Sequence, residues 1–417
     1  AVQTLLQRLH EAGEVDFREY EGLYCVGCER FLTERDMQDG KCRDHEREPE
    51  RRREANYFFR MSRHFPWLVR TLEERPDLIR PERYRNEVLG MLREDSGLED
   101  LCISRPKSRL GWGIELPFDD DYVCYVWIDA LINYLTGVGF PDDPQWPSRW
   151  SSVEHLIGKD ILKTHGIFWT TFLHAAGIPL FRHLHVHGYW NVDARKISKT
   201  LGNAISPRDM QARYGFEPFR FYLLREMSYG LDANFDEQAM VTRANADLSN
   251  ALGNLVSRTL QMTKRFAAGR VPEPGAEGPE ESRVREALAR AAVEVDAAVR
   301  RVEPHRALES IFRAVAETNR YLDQRAPWKA AKDPARQAEL GTTLFTACQA
   351  LHGTALLLAP FLPAAAAEIL HRLGAPSPER AAPLPAAASD FGALAPGAPT
   401  APGAALFPRL EAPESAS

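Results

Sequence analysis

The sequence has no apolar run long enough to cross a bilayer. Its longest, Ala355 to Ala367, is broken by Pro360 and Pro363, whereas a spanning helix needs about 20 apolar residues. Cysteine is scarce, with six in 417 residues at uneven spacing. That excludes a disulfide scaffold and favours a reduced compartment with a metal site. Positive charge is not in excess. The 52 Lys and Arg are outnumbered by 58 Asp and Glu, for a net charge of −6. A basic coat for nucleic acid is thereby excluded, though a local basic face is not. Neither G-x-x-x-x-G-K-[ST] nor G-x-G-x-x-G occurs, so a P-loop and a simple dinucleotide fingerprint are unsupported. A signal-peptide pattern is missing as well. The opening AVQTLLQRLHEAGEV carries no Met start and reads as the middle of an amphipathic helix. The chain is therefore expected to begin partway through a protein.

The composition is globular, 44% hydrophobic and 26% charged, and the length predicts about two to four domains. Leu5, Leu6 and Leu9 share one helical face that Gly13 stops. Residues 101–104 and 122–128 read as strands, the second so continuously apolar that it suggests a buried parallel strand. His155 to Ile157 reads as a third strand, followed by a helix over Leu162 to Ala176 and another strand over 183–190. This alternation predicts an α/β layer with crossovers. Beyond about residue 208 the strand signal ends. Four helical faces follow: Leu248, Leu252, Leu255 and Val256; Val284, Leu288, Ala291, Val295 and Val299; Leu308, Ile311, Phe312, Val315 and Leu322; Leu344, Cys348, Leu351, Ala355 and Leu358. They predict a helical bundle. From Ala375 to Ala405, 19 of the 31 residues are Ala or Pro, which reads as a low-complexity tail that buries no core.

Two motifs carry chemistry. Cys25-x2-Cys28 is followed, thirteen residues on, by Cys42-x2-His45. Two close pairs can bring four N/S ligands to one tetrahedral ion, and four protein ligands close its shell. One structural zinc ion per chain is expected, stapling a segment too short and polar to fold alone. The second motif is Arg195-Lys196-Ile197-Ser198-Lys199-Thr200. Two lysines three apart with hydroxyls between can surround a polyphosphate. As a bare K-x-x-K, it reads first as a solvated surface loop.

KISKT followed by LGN resembles the KMSKS signature of class I aminoacyl-tRNA synthetases, with Ile197 for Met and Thr200 for the last Ser. Upstream pieces narrow the resemblance to the methionyl-tRNA synthetases. WIDALINY (Trp127 to Tyr134) and HLIGKDILKTHGIFW (His155 to Trp169) are similar to the two walls of that family's methionine pocket. EGLYCVGCERF and CRDH are similar to its zinc knuckle. NADLSNALGNLVSR (Asn245 to Arg258) and YLDQRAPW (Tyr321 to Trp328) are similar to its anticodon-binding helices, and ALFPRLE (Ala405 to Glu411) to the stretch closing its core. The motifs are collinear over about residues 1–411.

The resemblance implies an α/β plus all-α architecture: the second half of a class I Rossmann-type catalytic domain with a zinc-knuckle insertion, then an α-helical anticodon-binding bundle. The expected parts are residues 1–105, the end of the first Rossmann half with the insertion; 106–190, the second half; 191–240, the lysine loop and a stem-contact region; 241–374, the anticodon domain; and 375–417, the tail. It implies a methionine–tRNA ligase of the cytoplasm. Methionine would be activated with Mg²⁺-ATP to methionyl-adenylate and passed to tRNA(Met). Lys199, with Lys196 and Ser198, would be catalytic, Lys199 also contacting ATP. Gly158, Asp160, His187 and Gly188 would lie along the nucleotide. Trp127, Ala130, Tyr134, Ile161, His165 and Trp169 would form the pocket, the last three on one helical face at a spacing of four. Such aromatic walls suit a thioether. Without the resemblance, they read as a core stripe of aromatics. Asn254 and Arg258, at i and i+4, with Trp328 as a stacking plane, would meet the CAU anticodon. His183, His185 and His187 alternate on one strand and read as ordinary strand residues rather than a metal site.

One family element is missing: no H-x-G-H occurs, so the 417 residues alone are expected not to make methionyl-adenylate. The competing expectation is a non-catalytic, zinc-containing tRNA-binding protein derived from a synthetase.

Overall fold

Leu5, Leu6 and Leu9 are fully buried on helix Val2–Glu11, and Gly13 leaves it at φ +70°, a left-handed conformation glycine adopts without strain. The structure, a computed structural model, describes all residues except 29, 33, 44, 94–97, 193–194, 197–204, 377–383 and 412–417. It forms two compact units, Ala1–His187 and Gly188–Ser417.

In the first unit, strand Val15–Cys25 pairs antiparallel with Glu50–Phe59 from Val15↔Phe59 to Tyr24↔Glu50. Arg30–Leu32 and Leu101–Cys102 flank this pair. A second sheet is parallel. Its central strand His183–His187 lies between Ile79–Arg80 and Glu154–Gly158. Residues 183–186 are all buried, as expected for a strand covered on both faces.

The run 122–128 differs from its sequence reading. Strand Asp119–Cys124 is antiparallel to Ser104–Pro106 and Glu115–Leu116, and helix Val126–Gly137 begins within the run. A short apolar run does not distinguish strand from helix. Here Ile128, Leu131, Ile132 and Leu135, all buried, continue the pattern at helical spacing.

The second unit opens on a small sheet, with Trp190–Val192 between Arg195–Lys196 and Ala233–Asn234. Long helices follow, among them Asn254–Phe266, Pro279–Arg300, Pro304–Arg325 and Gln337–Leu358. The expected faces form one core, except that Val299 is exposed at the end of its helix, Phe312 is only partly buried, and Leu344 packs with Ala330 and Leu340 in a small separate cluster. Gln337–Leu358 is buried on every side from Thr342 on, so it is the central helix of the bundle.

The Ala/Pro-rich segment is not an idle tail. Ala388, Phe391 and Leu394 are buried in the bundle core. The Gln349 amide donates to the Leu394 carbonyl at 2.7 Å and accepts from its N–H at 3.1 Å. Asn245 holds Leu410 by the same two-way pattern, at 2.9 and 2.8 Å. A few apolar anchors suffice here, because small residues let the backbone lie close. A Cβ on Gly353 would meet the Ala388 carbonyl oxygen at 2.1 Å. Among the described residues, no helix is long and apolar enough to cross a membrane.

Candidate functional site

Strand Val15–Cys25 ends on its first cysteine, and the Cys28 N–H turns back to donate to Cys25 Sγ at 3.4 Å. Strand Lys41–Cys42 supplies the third. Cys28 Sγ lies 3.4 Å from Cys42 Sγ and 3.2 Å from His45 Nδ1. Cys25 Sγ and Cys42 Sγ each lie 3.9 Å from that nitrogen. A tetrahedral ion bound through sulfur at about 2.3 Å and nitrogen at about 2.0 Å sets edges of about 3.8 and 3.5 Å. The four donors are spaced as such edges, so the cluster could hold one metal ion. Gly27 is required beside it, since a Cβ there would strike the His45 ring at 2.5 Å. Burial, followed by its neighbours Cys42 and Cys25, pushes the Cys28 thiol up. Burial also opposes ionisation of Cys25, but hydrogen bonds from Cys28 and Cys42 hold that thiol below its ordinary value.

The second cluster lies in the same unit, beside the parallel sheet. Helix Val126–Gly137 carries Trp127, Ala130 and Tyr134 at i, i+3 and i+7. Facing it, the chain leaves Gly158 in a single 3₁₀ turn over Lys159–Ile161 and passes into a π-helix, Thr164–Trp169. Such π segments often occur at functional sites. The Tyr134 ring centroid lies 5.7 Å from that of His165 and 6.4 Å from Trp169, and Trp127 lies 6.5 Å from His165. The Tyr134 oxygen is 2.9 Å from His165 Nε2. His165 Nδ1 donates to the Ile161 carbonyl at 3.0 Å, so Nε2 carries the lone pair and the Tyr134 hydroxyl donates to it. Burial keeps this imidazole neutral by lowering its pKa and raises that of the Tyr134 hydroxyl. Trp127, Tyr134, His165 and Trp169 are thus brought together. Ile161 packs half-buried against the same core, and Ala130 is exposed one turn before Tyr134.

Sequence reasoning missed His155. It is buried, accepts the Trp169 indole N–H at 3.2 Å and packs 4.2 Å from the Tyr134 ring. The available signal was a histidine at the inward register of a strand whose Glu154 and Leu156 face outward.

At the carboxyl end of the same strand, a Cβ on Gly158 would lie 2.6 Å from Asp160 Oδ1, so a side chain there would crowd the turn. His187 pairs with Gly158 in the parallel ladder and is exposed. Ligands of open α/β sheets bind at such strand ends. Gly188 opens the second unit, where a Cβ would meet the Leu231 carbonyl oxygen at 2.2 Å. His183 and His185 are buried and engaged, His183 Nδ1 with the Asp77 carbonyl at 2.9 Å and His185 Nε2 with Glu154 at 2.8 Å, as the strand reading expects. Of the lysine loop, only the backbone of Arg195 and Lys196 is described; Ser198 and Lys199 lie outside the described residues.

In the second unit, Asn254 begins helix Asn254–Phe266 and is exposed. Arg258, one turn on, donates to Asp323 at 2.6 Å and stacks over Trp328 at 5.6 Å. Trp328 is 40% exposed, so it is a surface plane rather than a core residue.

Comparison with known proteins identifies the family. Residues 35–260 match the family model for class I tRNA synthetases (M). The chain belongs to the methionyl-tRNA synthetase family. Residues 271–417 match the anticodon-binding domain of methionyl-tRNA ligase. The methionine–tRNA ligase of Deinococcus radiodurans is 44% identical over 98% of this chain and 60% of that protein. That of Streptomyces coelicolor is 37% identical over 98% and 78%. The Mycobacterium tuberculosis methionyl-tRNA synthetase in its free state superposes with a TM-score of 0.90 at 34% identity, covering 99% of this chain and 81% of that one. A second structure of that enzyme, bound by methionyl-adenylate, gives 0.90 at 35% identity over 98% and 80%. The chain spans about 60% of the length of the first curated relatives it matches. Within this methionyl-tRNA synthetase family match, Asn254 and Arg258 lie in the class I region and Trp328 in the anticodon-binding region.

Proposed function

We propose that the chain acts in a methionine–tRNA ligase, activating methionine with ATP and charging tRNA(Met). The observation that supports this reading is the aromatic cluster of Trp127, Tyr134, His165 and Trp169, tied by the Tyr134–His165 hydrogen bond. The Tyr134 hydroxyl and His165 Nε2 are directed at each other, and the aromatic rings suit a thioether. Such a cluster supports amino-acid chemistry over RNA binding alone. Ala130 and Ile161 would complete its walls.

In the proposed reaction the methionine carboxylate attacks the α-phosphate of ATP. Methionyl-adenylate forms and pyrophosphate leaves. The terminal ribose hydroxyl of the tRNA then attacks the methionyl carbonyl, and AMP departs. The protein mainly positions and stabilises charge. Asp160 would accept hydrogen bonds from the ribose or the α-ammonium group. Gly158, Gly188 and His187 would let the nucleotide approach the backbone. Lys199 would stabilise charge on the phosphates, supported by Lys196 and Ser198. Mg²⁺ would arrive with ATP and neutralise phosphate charge. Cys25, Cys28, Cys42 and His45 would hold a structural zinc ion. Asn254, Arg258 and Trp328 would read the CAU anticodon by hydrogen bonding and stacking. Such a ligase would work in the cytoplasm.

The test is direct binding to the 417-residue chain. Methionine should bind saturably and displace tryptophan fluorescence, with leucine far weaker. A CAU stem-loop should bind better than one with a changed anticodon. A chain that prefers neither methionine nor CAU overturns the reading. In any form of the protein that performs ATP–pyrophosphate exchange, Lys199→Ala should lower kcat by about 10²-fold or more, with methionine affinity unchanged.

A further inference from the structure

A buried carboxylate ties down the last turn of helix Pro304–Arg325, just ahead of the exposed Trp328. Glu281 is 1% exposed and lies in the first turn of helix Pro279–Arg300. Its Oε2 accepts the Gly278 N–H at 2.8 Å, closing the start of its own helix. Its Oε1 accepts the Tyr321 O–H at 2.7 Å and the Arg325 Nε–H and Nη2–H at 2.8 and 2.5 Å. Tyr321 and Arg325 stand at i and i+4, so one face of the helix end meets the carboxylate. Burial opposes the charge, but Arg325, Tyr321 and Gly278 outweigh it and hold the Glu281 carboxyl below the ordinary range. A buried ion pair is weak evidence for stability, because apolar residues of similar volume serve stability as well. Its neighbour in the chain gives this one a task. Ala326 follows at φ +43° and ψ +62°, a left-handed conformation that a residue with a Cβ keeps only where its surroundings hold it. The turn leads into the short helix Pro327–Ala330, on which Pro327 and Ala330 are buried. Trp328 stands out between them, with the Arg258 guanidinium 5.6 Å from its ring centroid.

We propose that Glu281 is a positioning residue for RNA recognition: by anchoring Tyr321 and Arg325 it fixes the left-handed turn at Ala326, and with it the ring plane that Trp328 presents to a base. The inference rests on the anticodon-reading role proposed above for Trp328. Glu281 is buried and touches no RNA itself. Stacking needs the aromatic face held ready for the base, and freedom at the turn costs affinity without removing a contact, because binding must then order the ring. A glutamine in place of Glu281 keeps the shape but serves only one side. Its amide N–H₂ faces either the Gly278 N–H or the Tyr321 and Arg325 donors. Arg325 then loses its charged acceptor on this helix, and charge-assisted bonds are the strong ones. Losing one buried bond of this kind typically changes an equilibrium that depends on it by about tenfold.

The experiment uses the intact 417-residue chain with ¹⁵N-labelled tryptophan, and a CAU stem-loop carrying a fluorophore. The Trp328 indole resonance is assigned by its loss in Trp328→Phe. In Glu281→Gln that resonance should shift and broaden while the other indole resonances stay in place, and the stem-loop Kd should rise about tenfold. Arg325→Met, which leaves the carboxylate, should act in the same direction. Arg325→Lys, which keeps the charge and a donor, should return the Kd to within about threefold of wild type. In the Trp328→Ala background, where no ring remains to be held, Glu281→Gln should add less than about twofold. A loss of bundle stability alone would weaken binding by the same factor in both backgrounds. Wild-type affinity in Glu281→Gln, or an equal loss in the two backgrounds, overturns the proposal. If the wild-type chain does not bind the stem-loop, the anticodon reading fails and the recognition role with it, whereas normal wild-type affinity confines any failure to Glu281. Should Glu281→Gln fail to fold, the comparison of Arg325→Met with Arg325→Lys decides.

Discussion

The Tyr134 hydroxyl donates to His165 Nε2 across 2.9 Å, joining helix Val126–Gly137 to the π-helix Thr164–Trp169. The direction of this bond follows from His165 Nδ1, which is already committed to the Ile161 carbonyl. Removing the hydroxyl leaves a buried acceptor without its donor, which typically costs about 1–3 kcal/mol. Tyr134→Phe should therefore lower thermal stability by about that amount and, by loosening the His165 ring, weaken methionine binding several-fold. Titration calorimetry alongside thermal unfolding checks this, and unchanged affinity counts against the pocket.

The cysteine cluster should contain about one zinc ion per chain, measured by elemental analysis. The local core offers little else, being Cys25, Leu32 and Cys42 with Cys28 and Met37 packed against them. Because the four donors bind one ion together, Cys28→Ser should drop the zinc content to well under one and loosen residues 20–49 to proteolysis. Full zinc content in that variant would refute a four-ligand site.

Stability of the first unit should depend on acid in a particular window. Burial, with a smaller contribution from His165, lowers the His155 pKa to about 3, whereas an unfolded histidine titrates near 6.5. Between those values the unfolded chain holds a proton that the folded one does not, so stability is lost as pH falls from about 6.5 toward 3. One such group contributes up to about 1.4 kcal/mol per pH unit there. His155→Gln should flatten the fall in Tm between pH 7 and pH 5. An unaltered slope would mean that the imidazole accepts a proton in place.

Trp328 presents an exposed ring to which the Arg258 guanidinium is already stacked. Base stacking on an aromatic is worth about 1–3 kcal/mol. Trp328→Ala should therefore weaken binding of a CAU stem-loop by about tenfold or more, and Trp328→Phe by much less. Fluorescence anisotropy with a labelled stem-loop decides. Equal affinity in all three proteins excludes Trp328 from the RNA surface.

The Ala/Pro-rich segment should stabilise the bundle. Phe391 is 6% exposed, with the Arg285 guanidinium 4.8 Å from its ring centroid. Phe391→Ala should cost about 3–5 kcal/mol, read as a lower denaturation midpoint of the second unit. A midpoint within error of wild type would return the segment to the status of an idle tail.

The sequence by itself determined what is local. The helical faces of the bundle were legible because buried apolar residues recur at three and four residues, as in Leu344, Cys348, Leu351, Ala355 and Leu358. The Cys/His cluster was legible because its four residues form two tight pairs, and the family because its motifs stand in fixed order. Tertiary structure decided what joins distant positions. Arg258 meets Trp328 across 70 residues, and His155 reaches Trp169 around the turn at Gly158. Phe391 and Leu394 enter a core that their own composition conceals. The run 122–128 became strand and helix because paired strands and a buried face on each side chose between two conformations that its apolar residues equally allow. A periodic pattern records which face is buried, whereas the identity of the group waiting there depends on how segments far apart in the chain are folded together.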